Sequence, residues 1–367
     1  MRIVHFANHF LPSAGGVEWS VLRTAEAQAT QGMDVTVITE TPRGSFDDSA
    51  LPFAVQRFSV PVCRPITRLF YWRWMWRQRG ILGEADVLHF HDYTPLVHWF
   101  LPLRAVIRRP RYAITFHGFE HWPVHLRHRI LRSIAARMCH ARFAVGEYVR
   151  KIYRHPIDAV YLGAPAHRYP AVAPSIEMRF VYVGRLEEDT GIAEFAETLA
   201  DRAAERRVIV QLELAGSGRL RSHLEKLDGP WMNITFHGRL EDPSPLIARA
   251  RYIVATGFLA IFEAFQSGIP VLVPVLTEIK RLYIDSIPQA DSLLSALRDR
   301  TEMREVIDRT LTSDMHPQFI ERAKNAQTFV SEHTWKDIAD LLASGYALGK
   351  NEKGISRSAN DVTPVKR

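Results

Sequence analysis

Short apolar runs and segments with a 3.6-residue apolar period alternate along nearly the whole chain, and this alternation is the strongest structural signal in the sequence. "RIVHFA" (2–7) reads as a strand, Val17 to Gln31 as a helix, and "DVTVIT", "ADVLHFH", "YAITFH" and "ARFAVG" as further strands. After "VYLGA" (160–164) comes "PAHRYPAVAPSIE" (165–177), whose prolines predict a linker. The alternation then restarts with "RFVYVG", a helix from Ile192, "VIVQLELAG", a helix from Leu220, "ITFHG", a helix from Pro243, "YIVAT", an apolar helix carrying Glu263, and "PVLVPV". Two amphipathic helices follow, Pro317 to about Ser331 and Trp335 to Leu348, and the polar, aperiodic tail 351–367 predicts disorder.

Strands alternating with helices predict an α/β protein with parallel sheets and right-handed crossovers. A chain of 367 residues exceeds what one core usually holds, so two domains are expected. Their bounds read as 1–164, a linker at 165–177, 178–331, and a closing helix at 332–350 able to pack back on the first domain.

Composition excludes several classes. With 47% hydrophobic and 24% charged residues the chain can bury large cores. Two cysteines, Cys63 and Cys139, make no disulfide framework and point to a reducing, cytoplasmic setting. No apolar run approaches the ~20 residues of a membrane span, and the N-terminus carries no export signal.

Charge is uneven. Between Arg64 and Arg154 there are 17 Arg and Lys against five acids, a balance that suits an anionic membrane surface or an anionic substrate, or merely a solvated basic face. Within it "RLFYWRWMWRQR" (68–79) interleaves arginines with aromatic rings, either as an interfacial helix or as a core helix whose Arg stems snorkel. No nucleic-acid module pattern accompanies the basic stretch.

In open parallel sheets ligands bind beyond the carboxyl ends of strands, so each strand-to-helix junction is a candidate site. Gly15 and Gly16 open a helix where backbone could approach an anion. A dinucleotide site is disfavoured there, because Trp19 stands where G-x-G-x-x-G needs a small residue, although Glu40 ends the second strand where a ribose-binding acid belongs. His117, Glu120 and His121 match H-x-x-E-H, but a strand and a glycine replace the helix that motif requires, and no metal is expected. His89, His91 and Asp92 read as polar groups at a strand end rather than ligands. Arg185 follows "YVG" and could grip phosphate; "LAGSGRL" adds Gly216 and Gly218 at a turn. Thr256-Gly257 precedes the helix of Glu263, so the amides of Gly257, Phe258 and Leu259 form a dipolar anion pocket, with Glu263 placed to accept hydroxyls such as a ribose diol.

Two Rossmann-like halves, the glycine pair, and the run from "VGRL" through "GSG" and "HGRL" to "GFLAIFEAFQSGIPVLV" together resemble the retaining sugar-nucleotide glycosyltransferases of the GT-B fold, the family 4-like group that includes glycogen-synthase-like and mannosyltransferase-like enzymes. The resemblance covers roughly residues 1–350 and implies two Rossmann-like domains facing across a cleft. It implies that Glu263 is the second Glu of E-x7-E and holds the ribose, that Arg185 and Gly16 lie at the donor diphosphate, and that His117 lies near the transferred sugar. It further implies that Gly238, Arg239 and Leu240 read the base through their backbone. Two positions depart from the family pattern: Ala255 replaces the first Glu, and Thr190, counted among the donor-binding positions, replaces a diphosphate-binding Lys.

The expected protein is a metal-independent retaining hexosyltransferase with no cofactor, a nucleotide-sugar donor, and a saccharide or lipid-linked saccharide acceptor. Its expected place is the cytoplasm, including the inner face of the cell membrane. A GT-B-fold epimerase and a catalytically silent binding protein are the alternatives, with a nicotinamide oxidoreductase more distant.

Overall fold

The structure is a computed structural model, and it describes residues 1–13, 15–41, 46–59, 67–167, 170–240 and 242–347. Cys63, Arg64, the tail 351–367 and two positions of the expected linker lie outside the described residues. The chain forms two compact units: Met1–Leu162 joined by the helix that begins at Trp335, and Gly163–Thr334.

The first unit is built on seven parallel strands: β1 Arg2–Ala7, β2 Asp34–Glu40, β3 Ala54–Phe58, β4 Val87–His91, β5 Arg111–Phe116, β6 Ala141–Val145 and β7 Ala159–Tyr161. Their spatial order is β3-β2-β1-β4-β5-β6-β7. The central strands are buried on both faces, which is why they read as continuous apolar runs rather than alternating ones. Helices Gly16–Thr30 and Trp335–Ala347 pack against each other. Arg111 fastens the end of the latter by donating to the carbonyls of Tyr346 and Ala347 at 2.5 and 2.6 Å, a cation on orphan helix-end acceptors.

The second unit holds six parallel strands: β8 Arg179–Val183, β9 Val210–Ala215, β10 Met232–Gly238, β11 Tyr252–Ala255, β12 Val271–Pro274 and β13 Ser295–Leu297. They are ordered β10-β9-β8-β11-β12-β13. Phe180 and Tyr182 of β8, Leu212 and Leu214 of β9 and Tyr252 of β11 form its core with Phe195 and Leu199 of the helix Ile192–Arg206. In each sheet the winding reverses once, beside β1 in the first and between β8 and β11 in the second.

Two glycines fix the loop that leaves β8. A Cβ on Gly216 would lie 1.7 Å from the carbonyl oxygen of Gly184, and one on Gly218 would lie 2.1 Å from that of Leu186. Backbone bonds lace the two turns together, Gly184 N to Ala215 O at 3.0 Å and Leu186 N to Ser217 O at 2.9 Å, so the chain around Arg185 has one position. The "GSG" turn therefore serves close packing against the β8 loop. Replacing Gly216 by Ala forces backbone apart and is expected to cost about 1–3 kcal/mol in urea denaturation. A Cβ at Gly16 meets nothing within 4 Å, so Gly16→Ala should leave the midpoint unchanged. Equal stability of Gly216→Ala and wild type would show that the loop is not so constrained.

Candidate active site

The reversal between β8 and β11 leaves a crevice at their carboxyl ends that no crossover helix covers. Arg185 lies at this edge with its side chain 65% exposed and its guanidinium on Asp189 at 2.7 Å. Tyr182 steers the loop by donating its hydroxyl to the Arg185 carbonyl at 2.6 Å. An exposed pair of this kind is worth little, so a phosphate can displace Asp189. Thr190 requires a correction as a donor-binding residue. Its side chain is buried, and its hydroxyl donates to the Glu187 carbonyl at 2.6 Å and so faces the protein's own backbone.

At the exit of β11, Gly257 takes an extended conformation and caps the ten-residue helix Phe258–Ser267. The expected anion pocket at 257–259 also needs correction. The amide of Phe258 donates to the hydroxyl of Tyr283 at 2.5 Å, and the two rings stack with centroids 3.8 Å apart. The amides of Leu259 and Ala260 have no partner among the described residues, so of the expected trio the Phe258 amide is the one committed within the protein. Ala255 is wholly buried in β11, opposite Val183 of β8.

Glu263, 5% exposed, is not isolated: its Oε1 lies 2.8 Å from Nδ1 of His167. His167 comes from the segment read as a linker. Val172 N ties that segment to the carbonyl of Ser267, the last residue of the Glu263 helix, at 2.9 Å. A lone histidine in a proline-rich stretch carries no spacing signal, so sequence reasoning had no means of placing it.

Lys280 was likewise missed. It lies on the helix Glu278–Ile284, three residues before Tyr283, and its ammonium donates to the carbonyl of Thr256 at 3.1 Å. Burial pushes the ammonium down to about 8, with Asp189 opposing and Arg185 adding to the shift.

Gly238 is the last residue of β10, the edge strand, and lies in the left-handed region at φ 68°; Arg239 and Leu240 follow it and are exposed. In the first unit Gly15 is extended and caps the helix Gly16–Thr30, and the space beside Gly16 is open. The carboxylate of Glu18 folds back on Gly15, 2.4 Å from where a Cβ would be, so this helix start already has an anion of its own.

His117 leaves β5 at the end of a buried chain of imidazoles. His117 Nε2 lies 2.8 Å from His91 Nδ1, His91 Nε2 lies 3.0 Å from His5 Nδ1, and His5 Nε2 lies 2.7 Å from Gln28 Oε1. Gln28 also donates its Nε2 to the hydroxyl of Tyr346 at 3.3 Å, so Oε1 is the acceptor facing His5. The tautomers then follow in sequence. His5 is protonated on Nε2 and accepts at Nδ1 from His91, which accepts at Nδ1 from Nε2–H of His117. His117 is left with Nδ1 as a hydrogen-bond acceptor. His89 completes the network, with Nδ1 2.6 Å from the Tyr346 hydroxyl and Nε2 2.8 Å from Thr115 Oγ1.

His89 and His91 are core residues, and His91 is also the last residue of β4. Their two-residue spacing in an apolar strand was the available signal that they share a face. His5, His89 and His91 each offer a nitrogen within 4.8 Å of the others. The His89 and His91 rings stack at 17° and the His5 and His91 rings at 26°, so their in-plane lone pairs do not converge, and every ring nitrogen already has a partner. Burial lowers all four histidines, His5 to about 4 and His117 to about 3, and keeps them neutral.

A second cluster anchors the loop that follows His117. Arg132, fully buried, donates to Glu120 at 2.8 Å, to Asp92 at 3.1 Å and to the carbonyl of Gly118 at 2.7 Å. Glu120 is also bonded by Tyr153. H-x-x-E-H therefore lies in a loop, with its carboxylate committed to an arginine.

The sequence profile described as Glycosyltransferase Family 4 matches residues 14–163, and that described as Glycosyl transferases group 1 matches residues 177–313. The chain is a family 4-like, group 1 glycosyltransferase. This glycosyltransferase is 22% identical to the GDP-mannose:cellobiosyl-diphosphopolyprenol alpha-mannosyltransferase of Xanthomonas campestris, over 95% of this chain and 98% of that one. Its fold is similar to Anabaena Alr3699/HepE in complex with UDP and glucose, with TM-score 0.71, 14% identity, and 93% of this chain and 98% of that one covered. It is also similar to WaaG, a glycosyltransferase involved in lipopolysaccharide biosynthesis, with TM-score 0.64, 15% identity, and 95% and 100% covered. These neighbours have the two-domain GT-B architecture.

The histidine chain makes the glycosyltransferase sensitive to acid. His5 at about 4 lies below its ordinary 6.5, so its contribution is whole above pH 6.5 and is lost as pH falls towards 4. At pH 5 the loss from His5 alone is about 2 kcal/mol. Asp92, raised to about 6 by burial, opposes this because its charging costs the folded state as pH rises. The urea midpoint should fall sharply between pH 7.5 and 5.0, and an unchanged midpoint would contradict the neutral, sealed network.

Proposed function

We propose that this glycosyltransferase moves a sugar, with retention at the anomeric carbon and without a metal ion, from a nucleotide-sugar to a saccharide or lipid-linked saccharide in cell-surface polysaccharide or glycolipid synthesis. The observation that carries this reading is the grouping of Arg185, the open amides of Leu259 and Ala260, and the buried carboxylate of Glu263 on elements leaving β8 and β11. Glu263 would accept the ribose hydroxyls while His167 orients its other oxygen. Arg185 and the helix amides would stabilise the charge that develops on the departing diphosphate, a task that a metal performs elsewhere. His117 would accept a hydrogen bond at Nδ1 from a hydroxyl of the sugar, and no protein nucleophile is assumed.

The named activity of the Xanthomonas relative, on a saccharide joined to a diphosphopolyprenol, supports a lipid-linked acceptor. The surface of the first unit supports approach to an anionic membrane. On the helix Leu126–Met138, Leu126, Ile130 and Ile134 are 71%, 50% and 46% exposed at four-residue spacing, with Arg127, Arg129 and Arg137 on the same helix. The helix Thr67–Arg77 divides its residues. Tyr71 bonds Glu40 and Met75 is buried, while Leu69, Phe70 and Trp76 are exposed beside Arg68, Arg73 and Arg77. No helix among the described residues is long and apolar enough to cross a membrane. An apolar row fringed by arginines suits binding in the interfacial plane on the cytoplasmic side.

Buried Ala255 and Thr190 favour one rival, a binding protein that has lost catalysis, and release of free nucleotide on adding acceptor would dismiss it.

UDP, GDP and ADP should be compared by thermal shift. One of them should raise the melting midpoint of the wild type, and Glu263→Ala should abolish the rise; an equal rise in both proteins would remove Glu263 from the site. In sedimentation with phosphatidylglycerol vesicles the wild type should pellet and Ile130→Asp/Ile134→Asp should remain in the supernatant. Equal pelleting of the two would rule out this helix as the contact.

A further inference from the structure

Among the described residues Lys280 is a cation with no anion in salt-bridge contact. Its ammonium donates to the Thr256 carbonyl at 3.1 Å and lies 5.4 Å from the centre of the Tyr283 ring. Among the described residues no carboxylate lies within 4 Å of Nζ. Asp189, the acid that acts on it, is already bonded to Arg185. Arg185 and the open amides of Leu259 and Ala260 add positive potential at the same strand ends. Positive groups gathered in this way repel one another unless an anion joins them.

The placement of Lys280 is built into the fold. Lys280 and Tyr283 are three residues apart, so they share a helix face. Tyr283 stacks on Phe258 and takes its amide, which clamps that face over the exit of β11. Thr277 caps the helix by accepting from Lys280 N at 3.3 Å, which fixes its first turn. On the opposite side the end of β12 closes against the β8 loop, where a Cβ on Gly191 would lie 2.8 Å from Pro274 Cβ. The residues at 190 and at 280 therefore flank one strand-end edge, and only 280 presents a charge to it.

We propose that Lys280 is a phosphate-binding residue of this enzyme, supplying to the diphosphate of the nucleotide-sugar the ammonium that Thr190 does not. This rests on the donor site proposed above. The remaining ammonium hydrogens bond phosphate oxygens while the Thr256 carbonyl holds Nζ in place. Cleavage of the bond from sugar to phosphate leaves its electron pair on the nucleoside diphosphate, whose added negative charge Lys280 and Arg185 share.

Calorimetric titration of UDP and GDP, and of uridine and guanosine, into wild type, Lys280→Met, Lys280→Gln and Lys280→Arg tests this. The nucleoside diphosphate that binds wild type should bind Lys280→Met and Lys280→Gln about 10- to 100-fold more weakly, and Lys280→Arg within a few fold. Nucleoside affinity should be the same in all four. Gln can still donate to the Thr256 carbonyl, so recovery in Lys280→Gln would mark Lys280 as a structural cap and overturn the proposal. Equal loss of nucleoside and nucleoside diphosphate in the variants would overturn it in the same way, as would unchanged diphosphate affinity in Lys280→Met. If wild type binds neither UDP nor GDP here, nor ADP in the thermal-shift comparison, the donor site itself falls and this proposal with it.

Discussion

Where a parallel sheet reverses its winding, the strands on either side part at their carboxyl ends and leave backbone and helix termini that no crossover can cover. In the second unit that constraint acts between β8 and β11, and the other features of the site follow from it. The uncovered edge must be lined by loops, and these loops are held rigid from outside. The glycine turn after β9 sits directly on the loop of Arg185, and Tyr283 stacks on the first residue of the Glu263 helix. The site is rigid because its walls are packed, before any ligand arrives.

The two units handle polar groups in opposite ways. In the second, positive groups gather with their hydrogen-bonding capacity partly unspent, which is costly for the protein alone and favourable once an anion binds. In the first, four histidines are neutral, and both ring nitrogens of His5, His89 and His91 are bonded, so burial costs little charge and only Nδ1 of His117 is left to accept. Gln28 sets the proton on His5, and through His91 that choice reaches His117. The helix beginning at Trp335 takes part through Tyr346, although it is almost the last element of the chain.

Much of this was legible in the sequence. The two parallel α/β halves could be read because strands buried on both faces produce apolar runs, and Glu263 stood out as a carboxylate in an apolar helix. Strand β3 was not legible: "AVQRF" lies at a sheet edge and is only half buried, so it has no clean pattern. The partners of the site residues were hidden for a different reason. His167 reaches Glu263 from nearly a hundred positions away, and Lys280 reaches Thr256 only because its helix lies over β11. The engagement of Thr190 with its own backbone and of the Phe258 amide with Tyr283 are likewise tertiary facts.

Recognition of the ribose of a nucleotide donor by a carboxylate buried in the second unit is the core of the proposed function. Its most direct test is the affinity of the wild-type protein for a ribonucleoside diphosphate against its 2′,3′-dideoxy analogue, with UDP or GDP as the parent. Hydrogen bonds to a charged group are worth about 1.5–3 kcal/mol, so the dideoxy compound should bind at least about tenfold more weakly. Equal affinity for the two would contradict the claim, because Glu263 would then have no hydroxyl to hold.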